Sequence, residues 1–102
     1  MPLKLTKFDA AEYIDTHERA RAYLEMAIEE DPGDGSDVRT ALNTIARAQN
    51  MSAVARASGL DRAGLIRTLS ANGNPSVATL LKVTRALGLQ LSVKTAEDYQ
   101  PS

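Results

Sequence analysis

One stretch limits the possible folds more than any other: AVARASGLDRAGLIRTL, residues 53–69. It reads as a short helix over 52–58, a break at Gly59, and a second short helix over 61–69. One longer helix would form more easily, because every helix start carries its own nucleation cost. The break therefore serves geometry. Ala55, Gly59 and Leu65 stand where two closely crossing helices need a small residue, a glycine able to take positive φ in the turn, and an apolar lock from the second helix. Val54, Leu60 and Leu69 supply the rest of that shared core. Breaking the helix swings its second half outward, as a helix must project to lie in the major groove of DNA.

Stepping about 100° per residue with Leu65 and Leu69 inward turns Ala63, Arg67 and Ser70 outward, flanked by Gly64 and Ile66. Asp61 and Arg62 sit at the N-terminal end, which enters the groove first. Asp61 has two roles open to it, cap of its own helix or reader of a base. Arg62 and Arg67 have the reach and the donors for guanine edges or phosphates, and Ile66 fits a thymine methyl. Ser70, Asn72 and Asn74 are placed for phosphate contacts from the following turn. Ser52 and Arg56 lie where the first helix would cross the backbone. These ten residues form the candidate DNA surface.

The rest of the chain is read around this pair. Phe8–Ile14 makes one or two helical turns. Thr16 is an N-cap type, and over 17–30 the apolar residues Ala20, Tyr23, Leu24, Ala27 and Ile28 recur at three and four, the period of an amphipathic helix. DPGDGS, residues 31–36, is a loop: proline and two glycines stop any regular element. Its acidic spacing does not match a calcium loop. Ser36 is the expected cap of a helix over 37–49, striped by Val38, Ala41, Leu42, Ile45 and Ala46. Ser52 is the expected cap of the next helix. SANGNPS, 70–76, is a turn, Ser76 caps a helix over 77–87, and Gly88 suits its left-handed end. Leu89, Leu91 and Val93 then alternate with polar residues, a short strand with one apolar face. A single strand leaves its edges unpaired, so a homodimer joined through Leu89, Leu91 and Val93 is expected. The fold class is all-α: five helices, an N-terminal helical extension and a short C-terminal β-strand.

Charge is unevenly spread over the 102 residues. Residues 1–36 hold four basic and nine acidic side chains; residues 37–94 hold eight basic and two acidic. An acidic front, net −5, thus precedes a basic body, net +6, and a tail over 95–102 of net −2. The body suits a polyanion and the front a basic partner. With no cysteine, disulfides and thiolate metal sites are excluded. No run approaches the roughly 18 apolar residues of a membrane span, and the N-terminus lacks a signal peptide's apolar core. A cytoplasmic protein is expected, with no membrane partner. The sole histidine, His17, stands beside Glu18, and adjacent helical residues do not face each other. With no nucleophile–base pair, metal cluster or phosphate loop, neither an enzyme, a small-molecule substrate nor a cofactor is expected.

Three segments carry a family resemblance: KFDAAEYIDTHERARAYLEMAIEE at 7–30, ALNTIARAQNMSAVARASGL at 41–60, and GNPSVATLLKVTRALGLQLSV at 73–93. Over about residues 6–93 the chain resembles the addiction-module antidotes, small antitoxins with an Xre/HigA-like (lambda-repressor-like) helix-turn-helix. The resemblance implies a small basic toxin of the RelE/ParE superfamily as partner and repression of the shared promoter, hence double-stranded DNA as a second partner. Gly64 and Ile66 depart from the pattern, which tends to carry a serine and a polar or aromatic residue there. The organisation expected is an acidic extension over 1–35, a helix-turn-helix domain with its strand over 36–94, and an unstructured tail over 95–102. Two other readings stay open: an Xre-type transcriptional regulator without a toxin, and a protein-interaction module that has lost specific DNA binding.

Overall fold

The computed structural model describes residues 10–97. A 3-10 turn, Ala10–Tyr13, leads into five helices: α1 (His17–Glu30), α2 (Ser36–Gln49), α3 (Met51–Ser58), α4 (Arg62–Thr68) and α5 (Val77–Ala86). The fold is all-α, and no strand occurs among the described residues. Of the expected Phe8–Ile14 turns, Phe8 and Asp9 lie outside the described residues, as does the tail from Asp98 onward. No helix of the described residues is long and apolar enough to cross a membrane.

The expected strand over Leu89–Lys94 is irregular. A strand exists only through its ladder, and no other strand lies among the described residues to complete one. Leu89 still packs half-buried against the core, while Leu91 is 39% exposed and Val93 97%.

Three helix starts follow the sequence. Thr16 accepts the Arg19 N–H at 3.1 Å, Asp61 accepts Gly64 N–H at 2.7 Å, and Ser76 accepts Thr79 N–H at 3.1 Å. Two do not. Asn50, not Ser52, caps α3, accepting the Ala53 N–H at 2.9 Å. Ser36 is the first residue of α2 rather than its cap, and Gly35 precedes it without a capping side chain. The work passes to Asp31. Its carboxylate accepts N–H groups from Gly33, Gly35, Asp37 and Val38 at 2.8–3.2 Å. Desolvation works against the charged form, but those four donors outweigh it and hold the Asp31 carboxyl below its usual value. One carboxylate thus closes the DPGDGS loop and feeds the orphan donors of α2.

The core runs through the whole described chain. Ile14, Ala20 and Leu24, on and before α1, pack with Leu42 and Ile45 of α2, Val54 of α3, Leu65 of α4 and Val83 of α5 in one cluster. α1 lies on α2, and α3 contacts both α4 and α5. Gln49 donates to the Leu87 carbonyl at 2.9 Å, tying the end of α2 to the end of α5. Gly59 and Gly88 take the left-handed conformation expected of them, at φ 81° and 85°.

Candidate nucleic-acid interface

α4 has seven residues, too few to hold as a helix in isolation. Both ends are locked instead. At its start, Asp61 caps it. Along it, Leu65 and Leu69 are buried, at 0% and 3% exposure. At its end, Ser70 Oγ donates to the Arg67 carbonyl at 2.7 Å, and Gly73 N–H to the Ser70 carbonyl at 2.9 Å. A β-carbon on Gly73 would stand 1.9 Å from the Thr68 carbonyl oxygen, so the turn closes only over a hydrogen atom.

Arg39 of α2 completes the lock, and sequence reasoning missed it. Its guanidinium donates to the carbonyls of Ser70 at 3.2 Å, Ala71 at 3.3 Å and Asp34 at 3.3 Å. It thereby fastens the turn after α4 to the loop before α2. Nothing in the local pattern around Arg39 signals this, because its partners lie 31 and 32 residues away.

The exposed surface of α4 carries Arg62, Ala63, Ile66 and Arg67, with Asp61 at its lip. Gly64 is buried, contrary to the helical-wheel expectation that it flanks the outward face. A β-carbon there would come within 2.6 Å of Asp61 Oδ1, so the missing side chain makes room for the cap and takes nothing from the exposed face. Ile66, 39% exposed, is the one apolar departure that remains on the surface.

Two recesses flank α4. One, of about 390 Å³, includes Arg67, Ser70, Asn72 and Asn74 in its lining; the other, of about 430 Å³, includes Arg56 and Lys82. They share Leu60 and Thr79, so they form one trough running from the end of α3 past α4 to the start of α5. The fold thus gathers five of the ten expected DNA residues in the trough and four more on or beside α4. Ser52, half-buried at the start of α3, lines neither recess. Lys82, a third cation at the trough, went unrecognised in the sequence, where it reads only as a solvated position on α5.

Charge is divided accordingly. The ion pairs among the described residues, Asp15–Arg19, Glu18–Arg21 and Arg21–Glu25, all lie on α1 or its approach. Arg56, Arg62, Arg67 and Lys82 stand without a carboxylate partner among the described residues. No group of three or more metal-binding side chains occurs among those residues.

The family described as probable addiction module antidote protein matches residues 4–95. An uncharacterized protein of Haemophilus influenzae is 43% identical over 94 residues, covering 92% of this chain and 95% of that protein. No solved structure matches.

Proposed function

Because the chain belongs to the family of probable addiction module antidote proteins, we propose that it is the DNA-binding antidote of a type II toxin–antitoxin module. In this reading it neutralises a small basic toxin of the RelE/ParE superfamily and represses the promoter it shares with that toxin. An antidote acts by binding, not by turnover, and implies a toxin partner.

One observation carries the DNA half of the proposal. α4 is fixed at both ends and buried on one side, leaving Arg62, Ala63, Ile66 and Arg67 exposed beside a trough that holds Arg56 and Lys82. A rigid short helix with two long donors suits the major groove, where arginine reads guanine through paired hydrogen bonds and apolar groups touch the thymine methyl. The trough cations and the Asn72 and Asn74 amides are suited to phosphates, which set register and affinity but not sequence. Arg62 and Arg67 are the proposed base readers. The toxin half is supported by the acidic front: residues 10–36 hold eight carboxylates (Glu12, Asp15, Glu18, Glu25, Glu29, Glu30, Asp31, Asp34) against Arg19 and Arg21.

Loss of DNA binding was a live alternative because of Gly64 and Ile66. The burial of Gly64 removes half of that motive.

The test is titration of the duplex upstream of the gene, against a scrambled duplex, at two salt concentrations. Wild type should prefer its own duplex and weaken with salt as phosphate counterions are released. Arg62→Ala/Arg67→Ala should lose the preference, each guanine contact being worth about 1–3 kcal/mol. Equal, weak binding to both duplexes by wild type overturns the DNA reading. Failure to co-purify with a small basic protein encoded alongside overturns the toxin reading.

A further inference from the structure

A groove of about 470 Å³ separates α1 from the chain that leaves α5. Leu24 and Ile28 line it from α1, and Leu89 and Leu91 from the opposite side. We infer that this groove and residues 89–93 are a self-complementary docking surface for a second copy of the chain, joined by antiparallel pairing about a two-fold axis at Leu91. It extends the DNA reading, because a helix-turn-helix reader of two half-sites needs two copies.

Four features support a second copy as the occupant. Among the described residues, no hydrogen bond engages the backbone of residues 90–94, which is free to form a ladder. Val93 is 97% exposed and Leu91 39%, two apolar side chains next to a groove with an apolar floor. The register is self-consistent: an axis at Leu91 sets Leu89 opposite the partner's Val93 and Leu91 opposite itself. Each copy then adds three apolar side chains to one face. Moving the axis to Gln90 would set Val93 against Leu87, which is buried at the end of α5, and moving it to Ser92 would set Leu89 against polar Thr95.

The rim is the fourth feature. It carries Arg21 and Glu25, already paired with each other at 2.9 Å. A neutral rim does not repel its own copy. It also offers little to a strongly basic partner, which the acidic carboxylates elsewhere on the front suit better.

The chain has no cysteine, which allows a direct test on the full-length protein without DNA, so that the outcome is separate from the DNA reading. Opposed β-carbons in an antiparallel pair lie about 5 Å apart, near disulfide reach, whereas the two Val93 positions would be offset by about 13 Å along the strands. Leu91→Cys should therefore give a covalent dimer under mild oxidation, and Val93→Cys should do so about ten-fold more slowly. Sedimentation equilibrium should find a dimer for wild type. Leu91→Lys should dissociate it, and Val93→Lys, at a site too exposed to disturb the core, should weaken it at least about ten-fold. Circular dichroism should show both lysine variants folded. A monomeric wild type overturns the proposal, whether residues 1–9 or a toxin segment fills the groove. So does a dimer indifferent to both lysines, or a Val93→Cys that cross-links as fast as Leu91→Cys.

Discussion

Gly73→Ala separates two reasons for which a chain needs glycine. Gly59 needs its backbone freedom: at φ 81° an added methyl meets nothing within 4 Å, so alanine there suffers only the left-handed conformation, about 1–2 kcal/mol. Gly73 needs its size. Its methyl would fall 1.9 Å from the Thr68 oxygen, 2.6 Å from the Thr68 carbonyl carbon and 2.9 Å from the Arg67 oxygen, all backbone atoms, where ordinary contact begins at 3.4 Å. No rotamer change relieves this, and the turn must move by more than an ångström. Overpacking costs about 1–3 kcal/mol, and losing the bond from Gly73 N–H to the Ser70 carbonyl adds about 1 kcal/mol, a total of about 3 kcal/mol. In a domain of this size that lowers Tm by at least about 12 °C, against about 4–8 °C for Gly59→Ala. Thermal unfolding followed by circular dichroism compares the two directly. A Gly73→Ala protein that melts within about 2 °C of wild type would refute the argument that a close backbone approach, and not sequence habit, places glycine there.

Arg39→Ala removes three charge-assisted bonds from one half-buried guanidinium and should destabilise by about 2 kcal/mol in urea unfolding; Arg39→Lys should recover little, because a lysine point charge cannot span three carbonyls. Asp31 gives a pH signature. Its carboxyl is held below the ordinary 3.8, so the unfolded chain takes up the proton first. The stability it contributes is complete above that value and lost as pH falls through the lower folded value. Asp31→Asn should be less stable at neutral pH and should show a flatter acid limb below about pH 4 when Tm is followed against pH. Asp61→Ala should lower Tm by about 4–8 °C, the effect of roughly 1 kcal/mol of lost capping, and Asp61→Ser should restore most of it if the cap is the residue's structural role.

Much of the fold was legible because its signals are local. Caps act within three residues, so Thr16, Asp61 and Ser76 could be read directly, and apolar stripes at three and four define a helix without knowledge of its neighbours. Leu65 and Leu69 are buried as that spacing requires. The misreadings have a common physical cause, which is competition for the same backbone donors. Ser36 and Ser52 are good capping types, but Asp31 and Asn50 reach the donors first. Arg39 and Lys82 were invisible because their places depend on contacts formed across the fold. The strand was misread because its pattern specifies a face and not a partner.

The same competition decides which side chains remain to meet a ligand. Of the residues expected on the DNA surface, Asp61 uses one carboxylate oxygen on Gly64, and Ser70 uses its hydroxyl proton on Arg67. Each can still accept a bond, but acceptors are ill suited to phosphate oxygens, which need donors. Donor capacity on and around α4 therefore concentrates in Arg62 and Arg67, with Arg56, Lys82 and the amides of Asn72 and Asn74 behind them. A surface so composed draws most of its affinity from phosphates and its sequence preference from two guanidinium groups. Removing Arg56 or Lys82 should weaken binding to every duplex alike and lower the salt slope by about one each, whereas removing Arg62 or Arg67 should erode the difference between duplexes. The buried half of α4 fixes where those two arginines stand, so the locks at Asp61, Arg39 and Gly73 bear on recognition as much as on stability.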